Sequence, residues 1–138
     1  MPSQPLPTKS SRIDIQVYYE DTDHSGVVYH ANYLRYFERA REHLLGIEHL
    51  VQLYNEEGIG FVVYKADLTY KKGAVFGDSV RIETIVQCVS EYRLSFEQRA
   101  FLNSDHSLLV DGKIELVCVN AQKQLVKLPK IVLTELAL

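Results

Sequence analysis

The segment VYYEDTDHSGVVYHANYLRYFERARE, residues 17–42, contains the change of hydrophobic period on which the fold depends. Residues 12–20 alternate apolar and polar side chains, and this period of two predicts a β-strand. From Ala31 onward the apolar residues recur at spacings of four and three, which predicts one stripe of a helix made of Tyr33, Phe37, Ala40, Leu44 and Ile47. A turn crowded with polar groups, EDTDHSG at residues 20–26, joins the two.

The rest of the chain is predicted to be mostly strand. Gly46 is expected to kink or end the helix, a helical tail is expected to reach about Asn55, and EEGIG then breaks the chain. A strand end and, after Pro129, a short helix are expected in the tail, residues 125–136. Further strands are predicted at residues 61–70, 79–89, 92–102 and 108–120. One long helix with a five-stranded antiparallel sheet predicts an α+β fold, with the helix across one face and a second subunit covering the other face or an edge.

Length and composition favour a single cytoplasmic domain. The chain has 138 residues and a net charge of -3, without a basic block, which argues against nucleic acid as the main partner. Residues 1–11, rich in Pro and Ser, are predicted to be a flexible leader, and residues 12–138 the domain. No apolar run is long enough for a transmembrane segment. Cys88 and Cys118 lie in strand patterns and are predicted to be buried thiols.

The polar turn does not match a metal site. DTDHSG resembles the start of a calcium-binding EF-hand loop, but the twelfth position is Asn32, where that loop needs a bidentate Glu, and a strand precedes it in place of a helix. His24 and His30 lie six residues apart without a second group of ligands. The sequence therefore predicts neither a metal nor another cofactor.

The same turn has the parts of an acyl-transfer site. The chain lacks a Gly-x-Ser-x-Gly motif and a phosphate-binding glycine loop, so the candidate nucleophile or base is a carboxylate, Asp21 or Asp23. Both precede a helix start, where unpaired N–H groups can hold an oxyanion, and Gly26 would allow substrate to approach the backbone. The alternative is that these are ordinary turn and cap residues, with His30 as a packing residue.

Residues 17–42 closely resemble the signature of the 4-hydroxybenzoyl-CoA thioesterase group of hotdog-fold proteins, in its YbgC-like acyl-CoA thioesterase branch. The resemblance continues more loosely through residues 62–84 and the last strands. It implies the hotdog fold, a curled antiparallel sheet wrapped around one long helix. It also implies hydrolysis of short- to medium-chain or aromatic acyl-CoA to free acid and CoA.

The resemblance assigns roles within and around the turn. It implies that Asp23 is the catalytic carboxylate and that the backbone N–H of His30 polarises the thioester carbonyl. Asp21 matches a position that shapes the loop, and His24 stands where relatives tend to have a small residue or Pro. Lys71 and Lys72 are expected to bind CoA phosphates or, alternatively, to be solvated turn residues. The residues placed against the substrate are Tyr19, Gly26, Val28, Tyr29, Lys71 and Lys72.

Several alternatives remain open at this level. Asp23 either attacks the thioester itself, giving a mixed anhydride, or deprotonates a water molecule. A hotdog dehydratase would need a His base in the turn paired with an acid on the helix, whereas here the acid precedes the His. A second rival is a non-catalytic module that binds acyl carrier protein or acts in an envelope-associated complex. The strands carry more Val, Ile, Phe and Tyr than one helix can cover, which predicts a homodimer, paired again into a homotetramer. The resemblance adds that two sheets join edge to edge, with the sites between subunits.

Overall fold

A computed structural model describes residues 7–138 of the chain. Within those residues six strands and three α-helices follow one another along the chain. Their bounds are β1 Thr8–Gln16, α1 Asn32–Leu45, α2 Ile47–Glu57, β2 Gly60–Tyr70, β3 Ser79–Cys88, β4 Arg93–Leu102, β5 Leu108–Val119, β6 Leu125–Val126 and α3 Lys130–Glu135. None of the helices in residues 7–138 is long and apolar enough to cross a membrane.

All strands belong to one antiparallel sheet with the order β1-β3-β4-β5-β2. The short strand β6 pairs only with the end of β5, at Cys118 and Val119. The described sheet thus has six strands: the five predicted strands and β6, which is the strand end expected in the tail before Pro129. Strands β1 and β2 form the two edges, which leaves the outer backbone groups of β2 available for pairing. The predicted α+β class is confirmed.

Helix α1 lies across one face of this sheet. Its side chains Tyr36, Phe37 and Ala40 are fully buried against residues of β3, β4 and β5. Gly112 on β5 makes the close approach possible, since a Cβ atom there would lie 2.8 Å from Cε2 of Phe37. The helix–sheet distance is therefore set by a glycine opposite an aromatic ring.

The helix breaks where the sequence predicted a kink or an end. Gly46 adopts a φ of +94°, outside the helical region, and α2 begins at the next residue. Because the axis changes there, Ile47 does not continue the buried stripe of α1 and is 49% exposed. The prediction that Ile47 belongs to that stripe is wrong, while Tyr33, Phe37, Ala40 and Leu44 are buried as predicted.

One boundary prediction and one burial prediction need correction. Residues 8–11 were predicted to be part of the flexible leader, but they form strand β1, with Thr8 paired to Gln87 and Ser11 to Thr84. Backbone pairing with β3 orders this segment despite its polar side chains. Residues 1–6 of the predicted leader lie outside the described residues. Cys118 is buried as predicted, whereas Cys88 is only half-buried.

A polar network crosses the core between α1 and the sheet. The Gln98 side chain donates hydrogen bonds to the Phe37 carbonyl oxygen (2.9 Å) and to Oγ1 of Thr84 (3.0 Å). Its Oε1 accepts a hydrogen bond from Nη1 of Arg41 at 3.0 Å. All three polar side chains are buried, so the amide of Gln98 holds a cation inside the fold.

Candidate functional site

The turn between β1 and α1 is held together by Asp21. Its Oδ2 accepts a hydrogen bond from the backbone N–H of Tyr18 at 2.8 Å, and its Oδ1 accepts one from Nδ2 of Asn32 at 3.0 Å. The Asp21 carbonyl oxygen also accepts a hydrogen bond from the N–H of Tyr29. Asp21 therefore ties the end of the strand to the first residue of the helix, which is the geometry of a loop-shaping residue.

Asp23 lies in the next turn, and one oxygen of its carboxylate accepts hydrogen bonds. Oδ1 accepts hydrogen bonds from the backbone N–H (2.9 Å) and the hydroxyl (2.7 Å) of Ser25, and Oδ2 has no partner among residues 7–138. Gly26, with a φ of +86°, closes this turn by donating its N–H to the Asp23 carbonyl oxygen. The Ser25 hydroxyl is the main cause that lowers the pKa of Asp23 below its ordinary value. Asp23 is consequently ionised at neutral pH.

The backbone at His30 presents a free donor just before α1. Within the described part of the chain, no group accepts a hydrogen bond from the His30 N–H. Its carbonyl oxygen, in contrast, accepts hydrogen bonds from the N–H of Tyr33 (3.3 Å) and the hydroxyl of Tyr70 (3.1 Å). These contacts hold the His30 carbonyl group, while the His30 N–H remains open to a ligand close to the positive end of the helix dipole.

Asp23 and His30 line one open cleft of about 310 Å³. Of the other predicted substrate residues, the cleft brings in Val28, Lys71 and Lys72. Four further lining residues were not predicted. Val27 and Tyr33 lie in the turn and in α1, whereas Tyr70 and Gly73 come from the end of β2 and from the β2–β3 segment, which reach the turn only through the fold.

The remaining predicted site residues lie beside the cleft and do not line it. Tyr19 is 77% exposed and its ring contacts that of Phe76, with centroids 6.0 Å apart. The Tyr29 ring lies 4.5 Å from the His30 ring, and Gly26 is exposed at the tip of the turn. Tyr19, Gly26 and Tyr29 can thus meet only a substrate that extends out of the cleft or that a second subunit positions.

The two lysines differ in their surroundings. Nζ of Lys72 lies 3.2 Å from Oδ2 of Asp105 and 3.3 Å from Oγ of Ser107. The Ser107 hydroxyl, together with Lys72, lowers the pKa of Asp105 to about 2, so this partner stays charged. Lys71 forms no ion pair with any residue in the range 7–138. Lys71 is accordingly the cation that is available to a phosphate.

Comparison with known proteins identifies the group to which this fold belongs. The model of the thioesterase-like superfamily matches residues 17–136. The chain belongs to the thioesterase-like superfamily. This membership covers the turn, α1 and the whole sheet after β1, and it confirms the resemblance found in residues 17–42.

Curated members of this superfamily are similar over nearly the full chain. The acyl-CoA thioester hydrolase YbgC of Escherichia coli O6:H1 is 37% identical over 126 residues, which are 90% of this chain and 93% of the relative. The acyl-CoA thioesterase YbgC of Haemophilus influenzae is 39% identical over 111 residues, 79% of this chain and 80% of the relative.

Solved structures show the hotdog fold. A 1,4-dihydroxy-2-naphthoyl-CoA thioesterase from Synechocystis superposes with a TM-score of 0.86 at 23% identity, covering 94% of this chain and 96% of that one. A mutant 4-hydroxybenzoyl-CoA thioesterase complexed with 4-hydroxybenzoyl-CoA superposes with a TM-score of 0.84 at 17% identity, covering 92% and 98%. At these identities the likeness concerns the fold alone.

Proposed function

We propose that the chain is an acyl-CoA thioesterase that hydrolyses short- to medium-chain or aromatic acyl-CoA to the free acid and CoA. One observation carries the proposal: the ionised carboxylate of Asp23 shares a cleft with the backbone N–H of His30, and among residues 7–138 neither Oδ2 of Asp23 nor this N–H has a hydrogen-bond partner. The YbgC relatives support it, because they carry the names of acyl-CoA thioester hydrolases and cover this site.

The proposed mechanism uses both groups at one thioester carbon. The carbonyl oxygen accepts a hydrogen bond from the His30 N–H, which becomes stronger as negative charge develops on that oxygen. Asp23 then attacks the carbon to form a mixed anhydride, which water hydrolyses, or it takes a proton from a water molecule that attacks. In either route the carbon–sulfur bond breaks and CoA leaves as the thiolate. No metal or other cofactor takes part.

The CoA moiety of the bound substrate is proposed to extend out of the cleft alongside Lys71. This ammonium group has no ion-pair partner in the described chain, whereas Lys72 is already paired with Asp105. A phosphate can bind a free lysine without displacing a carboxylate. Both lysines are therefore proposed to contact CoA, with Lys71 contributing more.

The working form is proposed to be a cytoplasmic homodimer, paired again into a homotetramer with sites between subunits. Strand β2 supports this proposal, because it is a sheet edge that exposes apolar side chains. Val62, Val63 and Tyr64 are exposed by 45%, 48% and 62%. Unpaired edges with exposed apolar residues pair readily with a second copy.

The test is thiol release by the purified protein in the presence of a chelator. A panel of acyl-CoA thioesters of different chain length, with benzoyl-CoA as an aromatic member, should show release of free thiol from at least one short- or medium-chain or aromatic substrate. The absence of release from every acyl-CoA and from acyl carrier protein thioesters would reject the enzyme and favour a module that binds acyl carrier protein.

A further inference from the structure

A second cavity, of about 200 Å³, lies between α1, α2 and β2, on the part of α1 that is remote from Asp23. Most of its wall is apolar and comes from Leu45, Leu50, Ile59, Phe61 and Leu116. Its polar wall is formed by α1, through Glu38, Arg41 and Glu42. An apolar cavity with a few convergent polar groups is the usual form of a ligand site.

Arg41 is unusual among the residues that line this cavity, because it is a charged residue that is almost fully buried. Its residue exposure is 6%, and its guanidinium lies 6.0 Å from the ring centroid of Phe96. Gln98 accepts one hydrogen bond from Nη1, but the other N–H groups of this side chain have no acceptor among residues 7–138. No carboxylate in that range pairs with it. A buried cation with unused donors is costly unless water or a ligand supplies acceptors.

The cavity and the Asp23 cleft both lie along helix α1 and strand β2. At one end the hydroxyl of Tyr70, the last residue of β2, donates to the His30 carbonyl just before α1. At the other end Phe61, near the start of β2, and Arg41 line the cavity together. The side chains between these ends on α1 include the exposed Leu34. At about 1.5 Å per residue, α1 rises roughly 14 Å from its first residue, Asn32, to Arg41.

The charges around Arg41 indicate which polar group fits best. Glu38 and Glu42 flank the guanidinium on the same cavity wall, so the three side chains together carry a net negative charge. A carboxylate at the end of a ligand would be repelled by the two glutamates. A hydroxyl group can accept a hydrogen bond from the guanidinium and donate its own proton to a glutamate.

We propose that this cavity binds the far end of a medium-chain acyl group that terminates in a hydroxyl, and that Arg41 selects such ω-hydroxyacyl-CoA substrates. The acyl chain would run from the thioester at His30 along the flank of α1 and end at Arg41. This inference rests on the proposed thioesterase function and specifies which members of the medium-chain class are preferred.

The test compares two substrates that differ only at the far end, dodecanoyl-CoA and ω-hydroxydodecanoyl-CoA. The wild-type protein should have a higher kcat/KM for the hydroxylated substrate. Arg41→Met, which keeps the length of the side chain and removes its donors, should lower kcat/KM for that substrate by about tenfold, mainly through KM, the loss expected for a hydrogen bond to a charged group. Dodecanoyl-CoA should be affected much less. Arg35→Met changes an exposed arginine of the same helix and should leave both substrates unchanged.

A second variant protects the test against misfolding of Arg41→Met. Glu38→Gln alters an exposed side chain and should raise the kcat/KM of the dodecanedioyl-CoA monothioester, which ends in a carboxylate, relative to that of ω-hydroxydodecanoyl-CoA.

Three outcomes would overturn the inference. Equal wild-type kcat/KM for the methyl- and hydroxyl-ended substrates would reject it while leaving the thioesterase function in place, and so would an unchanged substrate ratio in Glu38→Gln. A change of oligomeric state in folded Arg41→Met, with both substrates affected equally, would show that a second copy of the chain occupies the cavity. Lack of hydrolysis of every acyl-CoA would instead reject the proposed function itself.

Discussion

Replacement of Asp23 by Asn separates the chemistry of the turn from its stability. Both hydrogen bonds that the side chain receives, from the N–H and the hydroxyl of Ser25, end on Oδ1. The amide oxygen of Asn can take that place, so the turn should persist and the melting temperature should change little. The negative charge is lost. Removal of a general base or nucleophile should lower kcat by about 10²- to 10⁴-fold, which corresponds to about 2.7–5.4 kcal/mol in the activation free energy.

Asp21→Asn is the matched control, and the opposite result is expected. Asp21 uses both oxygens, one for Tyr18 and one for Asn32, and an amide can accept only one of these bonds. The loss should cost about 1–2 kcal/mol in the free energy of unfolding and lower the melting temperature by about 4 °C or more. Activity should fall less than in Asp23→Asn.

The assay is steady-state thiol release by both variants, with thermal unfolding of the same samples. A folded Asp21→Asn protein without activity, beside an Asp23→Asn protein at the wild-type rate, would show that the wrong acid has been assigned. Full activity in both variants would place the active site elsewhere in the molecule.

Three further predictions concern acidity, CoA binding and assembly. Ser25→Ala removes the main hydrogen bond that lowers the pKa of Asp23, so that pKa should rise and the fall of kcat/KM on acidification should begin at higher pH; an unchanged acid limb would mean that another group titrates. Lys71→Ala should raise KM for acyl-CoA more than Lys72→Ala, and neither should change KM for an acyl N-acetylcysteamine thioester, which lacks phosphates; equal effects on both carriers would exclude phosphate binding. Val62→Lys should dissociate the dimer in light scattering at micromolar concentration, because it places a charge on the exposed face of edge strand β2; a fully active wild-type monomer would reject the two-subunit site.

Much of the fold follows from local patterns in the sequence. The strands predicted at residues 79–89 and 92–102 match β3 and β4 to within one residue, and a period of four and three residues predicts α1. Gly46 marks the helix break because a glycine can adopt its φ of +94° without steric cost. Local patterns place Thr8 in the leader, because its strand is ordered by pairing with Gln87, which is far away in the sequence.

The residues alone indicate the candidate site only on one continuous segment, and Lys71 and Lys72 were expected only from the family resemblance. Asp23 and His30 stand seven residues apart in the turn, and the segment already suggested a carboxylate beside a helix start. Tyr70 joins them from the end of β2, and no local pattern marks a tyrosine as a cleft residue. Arg41 shows the same limit: a charged residue beside the apolar stripe gives no sign of burial, because its partner Gln98 is 57 residues away.

The amide of Gln98 can face only one way in this core. Its nitrogen donates to the Phe37 carbonyl and to Thr84, and its oxygen receives Arg41. If Gln98 became apolar, Arg41 would lose its one acceptor; if Arg41 became apolar, the amide oxygen would remain unpaired. Substitutions at these two positions are therefore expected to be epistatic, so that related sequences either keep both residues or replace them together.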